Sequence, residues 1–135
     1  MKKLLLIFFL FAFTGFKLFA QEDDGNEKIR DKMNEFIQQR LNLSKDEAEK
    51  FSPIFLRYFK EWRTTLRTTK DEPSLIREQK IVDLRLRYRE QFKVVIGEKR
   101  STDVFDHQKA FITAMRNLRS ERMERNDAIR ARKNR

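Results

Sequence analysis

Apolar residues recur at steps of three and four through most of the chain, the spacing that gathers side chains on one helix face. Ile29, Met33, Phe36, Ile37 and Leu41 predict a helix over about 27–41. Ala48, Phe51, Phe55, Tyr58, Trp62 and Leu66 predict a second, running from Ser44 to about Thr69. Its start is marked by Ser44 and Glu47, an S-x-x-E capping box in which hydroxyl and carboxylate each satisfy an end amide. Leu43 before it suits a hydrophobic staple. Pro53 lies inside this pattern, and the loss of its amide predicts a kink between Glu49 and Pro53 rather than a break. Ile81, Leu84, Tyr88, Phe92 and Val95, widened by Val82 and Leu86, predict a third helix from Pro73 to about Ile96. Pro73 suits its first position, and Gly97 suits its C-cap. Phe105, Gln108, Phe111, Ile112, Met115, Leu118 and Met123 predict a fourth helix, from about 101–103 to about 124.

Between these stripes the chain holds almost nothing that breaks a helix. Beyond residue 20 it has two glycines, Gly25 and Gly97, and two prolines. No stretch alternates β-branched residues. The expected fold class is all-α: four amphipathic helices in an antiparallel hairpin arrangement. The stripes are narrow and highly charged, so an open cradle-like assembly or a homodimer fits them as well as a closed bundle. Residues 21–26, QEDDGN, read as a disordered leader, 27–124 as one domain, and 125–135 as a fraying basic tail.

The first twenty residues follow a different pattern. Lys2 and Lys3 precede the apolar run Leu4–Phe16, and small residues lead to Ala20. That order predicts a signal peptide removed between Ala20 and Gln21. The apolar run is shorter than the roughly 20 residues a membrane span needs. Cleavage would place the mature chain in the periplasm, with no stable membrane insertion. It would also remove Lys2, Lys3 and Lys17, taking Lys plus Arg from 31 to 28 against 21 acids, a net +7 in place of +10. Export takes nucleic acid out of reach as a partner for that charge. Acidic proteins, anionic envelope surfaces and unfolded polypeptides remain. No cysteine is present, so disulfides play no part.

Catalytic chemistry has little to work with. The single histidine, His107, has Asp103 four residues before it and Asp106 beside it, short of the three or four ligands a zinc site needs. No serine sits in a glycine elbow and no Gly-rich phosphate loop occurs. The expectation is a protein that is not an enzyme and uses no metal or cofactor. The aromatics carry more information. Phe51, Phe55, Tyr58, Phe59 and Trp62 make an arc on the second helix wider than one helical partner covers. Phe59 and Trp62 are therefore expected to stand partly exposed beside Arg57, Lys60 and Arg63. Apolar patches rimmed by cations suit loose binding of unfolded chains. Arg85 and Arg89, on the basic side of the third helix, complete the candidate client-binding set.

Residues 41–67, LNLSKDEAEKFSPIFLRYFKEWRTTLR, resemble the opening of the periplasmic Spy/CpxP group. Leu43, Ser44 and Glu47 stand as L-S-x-x-E where that group carries L-T-x-x-Q. Glu47, Ala48, Phe51 and Pro53 match its E-A-x-x-F-x-P continuation. Phe92, Val95, Ile96 and Phe111 are similar to its closing segment, although a second L-T-x-x-Q is replaced by Ile96–Arg100, IGEKR. The resemblance implies a helical, cradle-like dimer that binds unfolded envelope proteins without ATP. It equally implies an envelope-stress regulator that docks on the periplasmic domain of a membrane sensor. A bland surface-binding protein is the third possibility that the composition leaves open.

Overall fold

The computed structural model describes residues 24–134; the expected signal peptide lies outside them. The described residues form four α-helices and no strands: α1 Asp24–Arg40, α2 Lys45–Thr68, α3 Ser74–Ile96 and α4 Glu98–Lys133. The chain divides into two compact units, residues 1–31 and 32–135, with the division falling within α1. The second unit holds the rest of α1 and all of α2, α3 and α4.

Each junction has a local cause. Asn42 sits at φ 51°, the left-handed conformation that Asn tolerates better than other side-chain-bearing residues. The Leu43 amide donates to Gln38 O and the Asn42 amide to Gln39 O, both at 3.1 Å. This pair of bonds closes α1 in a Schellman turn, with Leu43 as its apolar partner. Ser44 then caps α2. Its hydroxyl accepts from the Glu47 amide at 3.2 Å, and its own amide donates to Glu47 Oε1 at 3.1 Å. α2 continues through Pro53 without a break. Pro53 and Glu49, whose carbonyl loses its usual donor, are both exposed, so water can take that bond.

Pro73 precedes α3 by one residue instead of opening it. Its carbonyl accepts the first helical bond, from Arg77 at 3.1 Å. Gly97 alone joins α3 to α4, at φ 83° and ψ 171°, a region that is essentially glycine's own. α4 consequently starts at Glu98, not near residue 101. It then runs 36 residues, to Lys133. The expected fraying tail is helical instead, and so are residues 24–26 of the expected leader. Between 113 and 133 the sequence lacks apolar density but is mostly Arg, Glu, Ala, Met and Leu, all strong helix formers.

The core lies between α2, α3, the first half of α4 and the end of α1. Phe51 stacks on Phe92 across α2 and α3, with ring centroids 5.0 Å apart. Tyr58 meets Tyr88 at 5.4 Å and Phe105 at 5.5 Å, and Phe36 meets Phe111 edge-on at 5.5 Å. Met33, Ile37, Leu41, Phe55, Leu84, Ile96 and Val104 fill the remaining space. Large side chains buried in this way supply about 1.5–3 kcal/mol each, the main favourable term for a unit without disulfides.

Candidate binding surface

The residues of the L-S-x-x-E motif take structural places. Leu43 packs half-buried against the core, and Ser44 caps α2. Glu47 closes the capping box and also grips α4: Arg100 donates from Nη1 to Oε1 at 3.1 Å and from Nη2 to Oε2. This fork, helped by the Ser44 amide, holds the Glu47 carboxyl below its ordinary range. Ala48 is half-buried, Phe51, Phe92 and Phe111 are core, and Pro53 faces solvent. One cluster of residues thus ties the start of α2 to the start of α4.

Two of the six client-binding candidates are not where the sequence places them. Phe59 is 5% exposed and Trp62 9%, so neither lines an open groove. The wide aromatic arc has a different reason: side chains of α2 meet three other helices. Ser52 accepts from Asn34 and Gln38 of α1 at 3.1 and 2.8 Å. Phe51 stacks on α3, and the Tyr58 hydroxyl donates to Gln108 of α4 at 2.6 Å.

The four arginines make separate contacts, Arg57 and Arg63 from α2 and Arg85 and Arg89 from one side of α3. Arg57 is exposed and donates to Gln91 at 3.4 Å. Arg63 is exposed. Arg85 is half-buried, over the Phe105 ring at 5.8 Å, with its Nε 3.5 Å from the Tyr58 hydroxyl. Arg89 donates to the Thr102 hydroxyl at 2.9 Å and lies 3.7 Å from Glu98. Tyr88 and Arg87 converge on Glu61 from α3: the Tyr88 hydroxyl donates at 2.6 Å and Arg87 at 2.9 Å. Those bonds, the Tyr88 one foremost, hold Glu61 below the usual carboxylate range. Burial and the Glu61 charge push the Tyr88 hydroxyl up to about 12.

The exposed apolar residues lie elsewhere than expected. On α3, Leu75, Val82 and Leu86 follow at steps of seven and four, and Arg89 and Lys93 continue the same line. Arg85 borders it. On α4, exposure rises abruptly along one seam, from 8% at Phe111 to 40% at Met115 and 51% at Leu118. The only signal for this in the sequence is that Arg122 and Arg125 interrupt the seam where core residues would follow. A shallow cleft between α2 and α3 is lined by Thr65, Thr68, Thr69, Lys80, Asp83, Leu84 and Arg87. Its three threonine hydroxyls already donate to backbone carbonyls of their own helix. Among the described residues no three His, Cys, Asp or Glu side chains form a group able to hold a metal, and His107 stands half-buried without such company. No helix among them is long and apolar enough to cross a membrane.

Comparison with protein-family models, with curated proteins and with solved structures finds no match to this chain.

Proposed function

We propose that this is an ATP-independent, chaperone-like protein of the cell envelope that binds unfolded polypeptides through a basic, partly apolar surface. The observation that carries the reading is the edge of α3, where Leu75, Val82 and Leu86 are exposed in line with Arg89 and Lys93. Three apolar side chains on a folded helix provide adhesion for an exposed hydrophobic segment. Neighbouring cations favour acidic or partly acidic clients and keep the surface soluble. Such contacts are loose and unspecific, which suits a holder of unfolded chains better than a rigid recognition site. The envelope location rests on the pattern of residues 1–20, and the Spy/CpxP resemblance of residues 41–67 points the same way.

The test is aggregation of a reduced, unfolding client followed by light scattering. The chain from Gln21 onward, which holds every described helix, should suppress aggregation at stoichiometric excess. Leu75→Ser, Val82→Ser and Leu86→Ser together should weaken suppression while leaving the helical fold intact. No suppression by a protein shown to be folded would sink the proposal. Suppression unaltered by the triple substitution would place the surface elsewhere and remove the observation on which the reading stands.

A further inference from the structure

No other described helix covers the second half of α4. Every described residue from 113 to 134 is exposed, a stretch of about 30 Å at 1.5 Å per residue. Val104, Gln108 and Phe111 form the seam by which α4 packs into the core. Met115, Leu118, Arg122, Arg125 and Ile129 continue that seam at the same steps of three and four. Met115, Leu118 and Ile129 are open to solvent. Arg119 and Arg130 fall on one flank of the seam and Glu121 on the other, while Glu124 and Asp127 lie on the far side of the helix. From 113 to 134 seven basic residues stand against three acidic, a net +4.

The arginines here also differ from those nearer the core. Arg87, Arg89 and Arg100 each have a carboxylate partner. Arg116, Arg119, Arg122, Arg125, Arg130 and Arg132 have none among the described residues. A face of unneutralised guanidinium groups interleaved with Met, Leu and Ile constrains what can cover it. A second copy laid on the same face would bring arginines against arginines, with Glu124 and Asp127 turned away. A nucleic-acid backbone would take the charge but leave the apolar side chains in water. The interface of an anionic bilayer takes both: guanidinium groups meet lipid phosphates, and Met115, Leu118 and Ile129 reach the acyl boundary.

We infer that residues 113–133 of α4 form a docking helix that lies on anionic lipid surfaces. It would hold the folded unit against a membrane without crossing it. This inference does not depend on polypeptide binding by α3, and the two can fail separately.

The test is co-sedimentation of the chain from Gln21 onward with phosphatidylglycerol-rich vesicles and with phosphatidylcholine vesicles. Binding to the first and not the second is expected. Each arginine at an anionic surface strengthens partition about fivefold, so R119Q/R122Q/R125Q should weaken it on the order of a hundredfold. All three positions are exposed and Gln keeps the helix, so the fold should survive. M115S/L118S should weaken binding with no change in charge. Neutralising three cations in the second half of α2 and the turn after it, K60Q/R67Q/K70Q, should have a much smaller effect. Equal loss from that control would overturn the proposal in favour of general charge attraction. So would absence of binding to phosphatidylglycerol vesicles. Binding to soluble polyglutamate without vesicle binding would overturn it in favour of an acidic protein partner.

Discussion

The pair Tyr58–Gln108 offers the sharpest test of how the core is held. Both side chains are fully buried. The Tyr58 hydroxyl donates to Gln108 Oε1 at 2.6 Å, while Gln108 Nε2 is buried with no partner. Arg85 approaches the same hydroxyl at 3.5 Å, too far to contribute much. Tyr58→Phe removes the donor and leaves both ends of a buried amide unmade. An unsatisfied buried polar group costs about 1–3 kcal/mol. Gln108→Leu strands the phenol hydroxyl instead, with a loss in the same range. In the double variant Y58F/Q108L neither polar group remains, the apolar replacements have similar shapes, and the unpaired Nε2 is gone. Exchanging both partners of a buried bond for apolar groups is close to neutral. The double variant should therefore be nearly as stable as the parent, so the coupling energy should equal the sum of the two single losses, about 2–6 kcal/mol. Urea denaturation followed by far-ultraviolet circular dichroism measures all four proteins. In thermal melts each 1 kcal/mol appears as about 4–8 °C for a domain of this size. If the two single losses simply add in the double variant, the residues are not coupled and the reasoning fails.

The other expectations concern the junctions, the core and the titrating groups. Ser44→Ala should cost about 1 kcal/mol, read from urea midpoints, because it unmakes the cap of α2. Gly97→Ala should cost about 1–3 kcal/mol by the same measurement, although no atom lies within 4 Å of the added Cβ. Its cost is purely conformational, so Gly97→Ser should behave alike. Phe92→Ala should lose about 3–5 kcal/mol, whereas Leu75→Ala on the exposed edge should stay within about 0.5 kcal/mol. Stability should fall at both ends of the pH scale. Glu47 and Glu61 are depressed below the ordinary value of 4.5, so their contribution is present above that pH. It is lost as pH drops through their lower folded values. Tyr88 is raised from 10.0 to about 12, so its contribution is present below pH 10 and disappears as pH climbs towards 12. Melting temperatures across the range check both limbs, and a flat alkaline limb would count against the Tyr88–Glu61 bond.

Periodicity and local chemistry are the parts of this fold that can be read from the sequence. The stripes of α2 and α3 become core at Phe51, Phe55, Tyr58, Leu84, Tyr88 and Phe92, since only one face of each helix could leave water. The Ser44–Glu47 box and the Gly97 cap form because each depends on neighbours within a few residues. Phe59 and Trp62 are misplaced by sequence reasoning for the opposite reason. Their burial depends on how many helices surround α2, and periodicity counts the width of an apolar arc but not its partners. The bond from Arg100 to Glu47 spans 53 residues and has no local signature. Gln108 sits in an apolar stripe and could equally be a surface interruption; only its pairing with Tyr58 shows why it is inside.

Net charge is the least local quantity of all, and the structure divides it. Several cations near the core are absorbed, Arg87 by Glu61, Arg100 by Glu47 and Lys80 by Glu72, while the single charge of Glu98 offsets only part of Arg89 and Lys93. An ion pair of this kind leaves little field for a partner, because its two charges cancel within a few ångströms. The unabsorbed excess is concentrated where α4 has left the core, on the side that also carries exposed Met115, Leu118 and Ile129. Ionic strength should therefore act unevenly. Raising salt to about 1 M shrinks the Debye length to about 3 Å and screens exposed charges far more than half-buried pairs. Folding stability should change little, while any attraction mediated by residues 113–133 should collapse. A protein whose anion binding and stability declined together with salt would have its basic residues working as one undivided surface, contrary to the division seen between the core and α4.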